Sequence, residues 1–486
     1  MLSFITNNIA IVVFIIQLLF IIFVIFFDYK KPVNTLAWVA FFAVIPFVSI
    51  VFYILFGNRM RFRKNKAFRA KQLKDNTLNQ LVISQLNLVD DNSLVYQNPQ
   101  NAAYNELIRM NLIFSDGVLT QNNKIETFTC GEEKFPRLIE DLKSAKHSIH
   151  LLYYIYRDDE LGNEIMQILT EKAKNGVEVR LIYDDFGSLL TRRKFFQPLK
   201  DAGGEVNAFL PSKFIFNIRV NYRNHRKIAV IDGKIAYLGG MNIGKEYANQ
   251  GKLAPWRDTH IRVTGNAVYM LQTRFLLDWT YASEKDAPPL FIDNYFKPIE
   301  PEDKGTTAMQ IVASGPDSRE EQIKKGFIKM ISEAKEQILI QSPYFIPDDT
   351  LLEALEIASL SGVRITIILP GKYDKFLVYC GTLSYIKPLL EYGVDFYLYD
   401  GFIHSKMVVM DDKIVSLGTA NIDIRSFALD FEVNAFIYDS DYTKQIIDIF
   451  NEDLVHSTYL SAAAYASRRR IFKIMGPIAR LVSPLL

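Results

Sequence analysis

The chain has 486 residues, of which 49% are hydrophobic and 23% charged, and its formal net charge is +2. This length is enough for two or three domains with sizeable cores, and the near-average composition argues against a polytopic membrane protein. The two cysteines, Cys130 and Cys380, lie far apart and give neither a disulfide framework nor a zinc-ligand spacing. We expect two free thiols in a reducing compartment.

The N-terminus carries two apolar runs, residues 9–27 and 35–57, separated by a short polar loop. At about 1.5 Å rise per residue, roughly 19 helical residues span a hydrocarbon core of about 30 Å. A cleavable signal peptide fits the first run poorly, because no basic residue precedes the run and no small-residue cleavage site follows it. Within residues 1–57 the two runs therefore predict a transmembrane helical hairpin.

A basic cluster follows the second run, before Asp75, the first acidic residue after Gly57. Its members are Arg59, Arg61, Arg63, Lys64, Lys66, Arg69, Lys71 and Lys74. By the positive-inside rule, the cluster predicts that both ends of the hairpin and everything after Gly57 lie on the cytoplasmic face. We interpret residues 58–120 as a basic juxtamembrane segment and linker, and the basic cluster can bind anionic lipid headgroups.

From residue 121 onward, β-rich runs alternate with helical stretches. The order strand, helix, strand occurs in both halves, at 148–155, 164–174 and 177–183 and again at 337–346, 351–360 and 363–369. This order predicts an α/β fold in which helices cover parallel or mixed sheets. We place two tandem α/β domains at 121–303 and 304–486.

One motif occurs twice, at residues 225–242 and 404–421. The copies read HRKIAVIDGKIAYLGGMN and HSKMVVMDDKIVSLGTAN, and His, Lys, Asp, Gly and Asn recur at a constant offset. A long internal repeat suggests two similar domains that face each other. Each copy also predicts a β-hairpin in the same register, with a two-residue turn at 232–233 or 411–412.

The motif places a lysine two residues after each histidine. The pairs are His225 with Lys227 and His404 with Lys406. Residues two apart on a strand point to the same face, so each pair presents both side chains to one site. The motif aspartates, Asp232 and Asp411, lie about 20 Å further along a strand. We interpret them as turn-forming or structural residues and not as carboxylate partners of the histidines.

Two histidines, two lysines and two asparagines, Asn242 and Asn421, suit a phosphodiester substrate. The lysines and asparagines supply donors to the non-bridging oxygens. One histidine attacks phosphorus, and the other protonates the leaving oxygen and then deprotonates the acceptor. Lysine is a poor metal ligand and no local acidic or cysteine cluster completes a coordination shell, so we expect neither metal nor other cofactor.

Both copies resemble the phospholipase D superfamily motif, H-x-K-x4-D followed by a glycine-containing segment that ends in Asn. The chain is similar to bacterial cardiolipin synthases over essentially its whole length, through the paired N-terminal runs and segments such as IHLLYYIYRDDELG, NYRNHRKIAVIDGKIAYLGGMNIGKEY and QSPYFIPDD. This resemblance implies two phospholipase D-like domains on the cytoplasmic face of a bacterial cell membrane. It also implies that one phosphatidylglycerol gives its phosphatidyl group to a histidine and releases glycerol, and that a second phosphatidylglycerol takes the group to form cardiolipin.

The resemblance also assigns site residues. The catalytic set comprises His225, Lys227, Asp232, His404, Lys406 and Asp411. Family members more often place the nucleophile in the first motif, which favours His225 as nucleophile and His404 as acid and base, but the near-symmetry of the copies leaves this assignment open.

A downstream carboxylate orients each histidine in the superfamily. The resemblance places Glu432 as the partner of the second motif and Asp258 as the partner of the first, with Glu246 as a weaker candidate. Gly240 stands where many members have serine, so the first half lacks a hydroxyl donor that Thr419 supplies in the second. These positions and the asparagines are assigned to phosphate binding or histidine orientation.

Three classes of function remain open. The first is a cardiolipin-forming transferase; a synthase that uses phosphatidylethanolamine as acceptor is a variant of it. The second is another enzyme of the same chemistry: a hydrolytic phospholipase D, a serine-lipid synthase or a nuclease. The membrane hairpin and the lack of an overall basic balance disfavour a nucleic-acid partner. The third is a catalytically silent membrane scaffold. The oligomeric state is open in every case.

The tail from Arg468 reads RRRIFKIMGPIARLVSPLL, in which basic and apolar residues alternate. It predicts a basic amphipathic segment that either lies on the membrane or docks on the core, and Pro477 is expected to break its helix.

Overall fold

The computed structural model describes residues 2–27, 32–53, 76–211, 221–283, 294–318, 320–481 and 483. The chain divides into two compact units, Met1–Ala70 with Ser212–Tyr222, and Lys71–Pro211 with Arg223–Leu486. The predicted boundary at 303–304 falls inside the second unit.

Among its described residues, the first unit contains the helices α1 Leu2–Phe27, α2 Pro32–Val44 and α3 Pro46–Phe52. Pro46 begins α3, because proline has no backbone N–H to continue α2. Within the residues given above, no helix combines the length and the apolar character that crossing a membrane requires. The end of the second predicted span and the basic cluster lie outside the described residues.

The other described helices lie in the second unit. In chain order these are α4 Asn76–Asp90, α5 Asn105–Ser115, α6 Gly131–Ser144, α7 Glu160–Lys174, α8 Gln197–Asp201, α9 Ala267–Ala282, α10 Gln322–Glu333, α11 Asp349–Leu360, α12 Phe376–Glu391, α13 Ile424–Ala428, α14 Ser440–Val455, α15 Ala462–Ser467 and α16 Arg470–Leu481.

The strands that the structure describes also lie in the second unit. They are β1 Leu119–Phe128, β2 Ser148–Tyr153, β3 Glu178–Asp184, β4 Glu205–Phe209, β5 Arg223–Asn224, β6 Lys227–Ile231, β7 Ile235–Gly239, β8 Trp256–Arg257, β9 His260–Thr264, β10 Thr307–Ser314, β11 Gln337–Gln341, β12 Phe345–Ile346, β13 Arg364–Pro370, β14 Asp395–Tyr399, β15 Phe402–Ile403, β16 Met407–Met410, β17 Ile414–Gly418, β18 Ile422–Asp423, β19 Asp430–Tyr438 and β20 Ser457–Tyr459.

Sixteen of the described strands form one continuous sheet. Its order is β20-β14-β13-β11-β16-β17-β19-β10-β1-β9-β7-β6-β2-β3-β4, with β5 paired to β19. Seven strands of each half occupy matching positions, β20 is an additional edge strand of the second half, and β1 and β10 join the halves as an antiparallel pair. In each half parallel strands (β2, β3, β4 and β11, β13, β14) adjoin antiparallel ones. The predicted mixed α/β architecture is confirmed, but the two halves share one sheet.

The inner strands are buried along their whole length, because helices cover the sheet. Every residue of β2 is buried, as expected for a strand with apolar neighbours on both faces. One core packs β2 and β3 against α6 and α7, and another packs β11 and β13 against α10, α11 and α12. Equivalent aspartates cap the crossover helices: Asp159 accepts the Gly162 N–H at 2.9 Å in α7, and Asp348 accepts the Leu351 N–H at 3.1 Å in α11.

The motif hairpins have the same register in both halves, but the predicted two-residue turn is wrong. Ile231 pairs with Ile235 and Met410 pairs with Ile414, which leaves three residues in each connection. The motif aspartate at the start of each connection has a left-handed φ, 53° at position 232 and 52° at position 411. The backbone N–H of each aspartate still donates to the first residue of the inner strand, Ser148 or Gln337, and its carboxylate accepts backbone N–H groups at the start of the same strand.

Candidate active site

Each motif histidine lies two or three residues before the strand that begins the motif hairpin. His225 lies between β5 and β6, and His404 lies between β15 and β16. The lysines that follow are buried, and their ammonium groups turn back to their own histidines. Lys227 Nζ donates to the His225 carbonyl oxygen at 2.5 Å, and Lys406 Nζ donates to the His404 carbonyl oxygen. The two copies therefore build the same local arrangement.

A buried carboxylate from the opposite half binds each histidine. His225 Nδ1 lies 2.9 Å from Glu432 Oε1, and His404 Nδ1 lies 2.7 Å from Asp258 Oδ2. The sequence-based assignment gave Glu432 to the second motif and Asp258 to the first, and it is wrong. Glu246 lies at neither histidine, because it forms an ion pair with Arg157 at 2.9 Å.

Two short strand pairings between the halves explain the crossed arrangement. Strand β5 pairs with the start of β19, and the His225 N–H donates to the Phe431 carbonyl oxygen at 3.0 Å, which brings Glu432 beside that histidine. Strand β8 pairs with β15, and the His404 N–H donates to the Arg257 carbonyl oxygen at 2.6 Å, which brings Asp258 beside the second histidine.

The residue between histidine and lysine in each motif also ties the halves together. Arg226 is buried, donates to the Glu432 carbonyl oxygen at 3.0 Å and forms an ion pair with Asp278 at 2.7 Å. In the second motif, Ser405 Oγ lies 2.8 Å from Thr259 Oγ1. The site is therefore assembled at the junction of the halves and requires both.

The two carboxylates are held differently. Glu432 accepts hydrogen bonds from Thr419 Oγ1 and Ser426 Oγ, both at 2.5 Å. Asp258 accepts the Thr259 N–H at 2.7 Å, and its carboxylate fills the space beside Gly240. A Cβ at Gly240 would lie 2.1 Å from Asp258 Oδ1, closer than any real contact. Glycine in place of a hydroxyl residue therefore makes room for the aspartate.

We expect Gly240→Ala to reduce the catalytic rate by roughly tenfold to a hundredfold. General acid–base catalysis contributes a rate factor of ~10²–10⁴, and the substitution should remove part of that factor. The new methyl group would push Asp258 away from His404 Nδ1. Gly476→Ala is the matched control, because a Cβ at Gly476 would meet its nearest atoms at an ordinary 3.7 Å. For both variants, we would measure the rate of product formation and the thermal unfolding temperature. An unchanged rate in Gly240→Ala would contradict this account.

The histidines share one electrostatic environment. Burial lowers the pKa of His225 well below its usual value, and the charges of Lys227, Lys406 and Lys375 lower it further. Burial and Lys406 lower the pKa of His404 to about 3, with Lys227 adding to the effect and Asp258 opposing it. Because the charges of Lys227 and Lys406 lower the pKa of both histidines, the two motifs form one site. Each imidazole is neutral, and with Nδ1–H bound to a carboxylate its Nε2 lone pair is available as a nucleophile.

Other buried groups in the site also have shifted pKa values. Burial lowers the pKa of Lys227 to about 7 and that of Lys406 to about 8. Burial raises the pKa of Glu432 to about 7, against the opposing effect of Lys227. Shifts of this size in convergent buried groups are typical of active sites. A bound phosphate anion would stabilise the charged lysines.

The motif asparagines bond within the protein. Asn242 Oδ1 accepts the Ile155 N–H at 3.0 Å, and its Nδ2 donates to the Tyr247 hydroxyl at 2.7 Å. The Asn421 side chain donates to Asp423, whose pKa burial raises. The asparagines therefore position segments that surround the site, and each uses one amide N–H in doing so. Because an asparagine side chain has two amide N–H donors, the role predicted for them as donors to phosphate stays a prediction.

The motif aspartates hold the loop before the inner strand of each half. Asp232 accepts the N–H groups of Lys146, His147 and Ser148 at 2.8, 2.7 and 2.8 Å. Asp411 accepts the N–H groups of Lys335, Glu336 and Gln337 at 3.2, 2.9 and 3.0 Å. These contacts match the structural role expected for both residues, so of the catalytic set the structure brings together the histidines and lysines, without the aspartates.

Aromatic rings line the histidines, and sequence reasoning did not assign them to the site. The Tyr154 ring lies edge-on to His225 at 4.9 Å, and the Trp256 ring lies 5.2 Å from His404. The exposed Lys375, whose charge acts on His225, was also missed. Its position in a loop at the carboxyl end of β13 was an available signal, because ligand sites form at that edge of α/β sheets.

A sequence-family model described as "Cardiolipin synthase, PLD-like domain" matches residues 138–252 and 327–454. The chain is 46% identical over 476 residues to "Major cardiolipin synthase ClsA" of Bacillus subtilis, covering 97% of this chain and 98% of that one. It is 43% identical to a cardiolipin synthase of Oceanobacillus iheyensis, covering 97% of this chain and 98% of that one.

Among solved structures, phosphatidylserine synthase of Haemophilus influenzae matches with a TM-score of 0.61 and 17% identity. The match covers 78% of this chain and 100% of that chain. At this identity the likeness shows the fold alone.

Proposed function

Because the chain belongs to the bacterial cardiolipin synthase family of the phospholipase D superfamily, we propose that its crossed pairs, His225–Glu432 and His404–Asp258, carry out phosphatidyl transfer. The protein is a phosphatidyltransferase that forms cardiolipin and glycerol from two phosphatidylglycerol molecules, reversibly and through a phosphohistidine. The observation that carries the residue assignment is the convergence of two neutral histidines, each bound through Nδ1 to a buried carboxylate, among two buried lysines.

In the first half-reaction, His225 Nε2 attacks the phosphorus of the donor phosphatidylglycerol. The N–P bond forms as the P–O bond to glycerol breaks, and the imidazolium of His404 gives its proton to the leaving glycerol oxygen. Asp258 stabilises that imidazolium, and the anionic phosphodiester stabilises it further, since opposite charge raises the pKa of histidine.

In the second half-reaction, the glycerol hydroxyl of another phosphatidylglycerol gives its proton to His404. The hydroxyl oxygen attacks phosphorus, the P–N bond breaks, and His225 returns to its neutral form. Glu432 stabilises the positive charge on the phosphorylated imidazole. Each lysine ammonium has three donors, so Lys227 and Lys406 keep their carbonyl contacts and still bind non-bridging oxygens. The lysines supply the positive charge, so the scheme needs no metal.

We also propose that the enzyme works at the bacterial cell membrane, with the catalytic halves on the cytoplasmic face. The apolar runs at 9–27 and 35–57 and the basic cluster after them support this location and an interaction with anionic lipids. The substrates are themselves lipids. Membership of the family implies that phosphatidylglycerol is both the donor and the acceptor. The near-neutral net charge of +2 gives no support for a nucleic-acid substrate.

Reversal of the reaction tests the proposed transfer. The enzyme would receive cardiolipin and isotopically labelled glycerol, and the lipids would be separated by mass. Labelled phosphatidylglycerol is expected, because the phosphohistidine would pass its group to glycerol. Formation of phosphatidic acid without labelled phosphatidylglycerol would identify a hydrolase. A His225→Ala, His404→Ala double variant is the control for background exchange.

A bound phosphate should raise the pKa of both histidines. In the free enzyme the pKa of His404 is about 3, so its ring should be neutral at pH 6. A phosphate anion beside the ring favours the charged form and moves the titration to higher pH. Nitrogen NMR of labelled histidine rings, with and without inorganic phosphate, measures this shift, and His404→Ala assigns the signal. A His404 ring already protonated at pH 6 without phosphate would contradict this electrostatic account.

A further inference from the structure

The C-terminal helix α16 is docked on α12. The Phe472 ring lies 5.9 Å from Phe376 and 5.6 Å from Tyr379, and Gly476 and Ala479 are buried. The helix runs through Pro477, so the expected break there is wrong. Pro477 lies on the exposed side with Lys473, where solvent can bind the carbonyl oxygen that loses its N–H partner.

The side of α16 that faces away from α12 carries an exposed apolar stripe. Ile471, Ile474, Ile478 and Leu481 are 46%, 62%, 49% and 83% exposed. Their spacing of three, four and three residues places them on one face of the helix. Four large aliphatic side chains in a row, left in water, mark a surface that binds another apolar phase.

Basic side chains accompany this stripe. Arg469, Arg470, Lys473 and Arg480 are all exposed. With about 3.6 residues per turn, Arg470, Lys473 and Arg480 lie on the flank between the docked side and the apolar stripe. An apolar stripe with cationic residues along its flank is the pattern of a helix that lies in the interface of an anionic bilayer.

An aromatic patch connects the stripe to the active site. Tyr373 and Phe376 are 43% and 37% exposed, their rings lie 6.0 Å apart, and Phe376 contacts Phe472 of α16. Lys375, one of the two residues between them, is exposed and its charge acts on His225. The patch therefore extends from the rim of the site to the C-terminal helix.

We propose that the stripe of α16 and this aromatic patch form a membrane-contact face that holds the mouth of the active site against an anionic bilayer. The inference rests on the proposed function, because it assumes that the substrates are membrane lipids. A second copy of the chain fits less well, since a symmetric contact through the stripe would bring the same cationic flanks together. An anionic lipid surface complements these charges.

The first test measures depth in the membrane and needs no turnover. Full-length chain carrying Cys130→Ser and Ile474→Cys, labelled with an environment-sensitive fluorophore, would be reconstituted in phosphatidylglycerol vesicles that contain a nitroxide-bearing lipid. The matched control is Val455→Cys, an apolar residue on α14 that is 80% exposed. Strong quenching at 474 and weak quenching at 455 are expected. Equal quenching at the two sites would overturn the proposal.

The second test compares two forms of the substrate. An Ile474→Glu, Ile478→Glu variant should lose roughly tenfold or more of its activity on vesicle phosphatidylglycerol but little on detergent-dispersed phosphatidylglycerol, because only vesicles require the contact face. Val455→Glu should lose little in either. An equal loss of activity on vesicle and detergent-dispersed phosphatidylglycerol would overturn the proposal. So would a smaller oligomer of the variant than of the unsubstituted enzyme in detergent, because the stripe would then contact a second copy of the chain. Failure of the proposed function is distinguishable, since the unsubstituted enzyme would then make no cardiolipin even in detergent.

Discussion

Replacing either His225 or His404 with alanine should abolish cardiolipin formation, with a loss on the order of 10⁴-fold or more. Without the nucleophile no N–P bond forms, and without the second imidazole no group protonates the leaving glycerol or deprotonates the acceptor. Because the two residues act in the same reaction, the double variant should be no worse than the poorer single variant. The measurement is the initial rate of cardiolipin formation by mass spectrometry.

His147→Ala is the matched control, because His147 is exposed and is held through its backbone N–H at the loop before β2. It should retain nearly full activity. Near-normal cardiolipin formation by His225→Ala or by His404→Ala would contradict the two-histidine mechanism, whichever residue attacks phosphorus.

The crossed carboxylates give the second prediction. Asp258→Asn should behave like His404→Ala, and Glu432→Gln should behave like His225→Ala, although each carboxylate lies in the opposite half from its histidine. Loss of the charge removes the group that stabilises the imidazolium, and we expect turnover to fall by roughly 10²–10⁴-fold.

A donor lipid with a good leaving group, such as nitrophenol, separates the two half-reactions. This leaving group needs no protonation, so an enzyme that lacks only the acid should still release one equivalent in a burst. With His225 as nucleophile, His404→Ala and Asp258→Asn should retain the burst, while His225→Ala and Glu432→Gln should lose it. If the nucleophile were His404, the two groups would exchange, but each carboxylate would still follow its own histidine.

The uncrossed pairing that the sequence suggested makes the opposite prediction. Glu432→Gln would then resemble His404→Ala, and Asp258→Asn would resemble His225→Ala. Thr419→Ser serves as a control, because serine keeps the hydroxyl that donates to Glu432 and should therefore preserve the burst.

The repeated motif was predictable because it is local. A histidine and a lysine two residues apart on a strand face the same way in any sheet, and two copies with matched Asp and Asn positions indicate one composite site. The structural role of Asp232 also followed from distance along a strand. The structure adds its partners, the three N–H groups of Lys146, His147 and Ser148 at the start of β2.

The carboxylate pairing was not predictable, because it depends on contacts between residues far apart in the chain. The two-residue strand β5 pairs with β19 and brings Glu432 to His225, and the two-residue strand β8 pairs with β15 and brings Asp258 to His404. Strands this short show no hydrophobic periodicity in the sequence. The shared sheet was missed for a related reason. Strands β1 and β10 join the halves through edge pairing, and a strand sequence does not specify its neighbour.

Gly240 shows how a departure from the motif can be explained only by its surroundings. In the sequence, a glycine at position 240 in place of serine means that the first half loses a hydroxyl donor. In the structure the missing side chain leaves room for Asp258, and the second half solves the same problem with a longer glutamate that Thr419 can reach.

The most direct test of the central claim is product analysis with phosphatidylglycerol as the only lipid and a metal chelator present. The enzyme would be incubated with these vesicles, and lipids and released glycerol would be quantified by mass spectrometry. Our account predicts cardiolipin and glycerol in equal amounts, because every phosphatidyl group that leaves glycerol passes through a histidine to a second phosphatidylglycerol. Phosphatidic acid in place of cardiolipin, or no product until metal is restored, would contradict it.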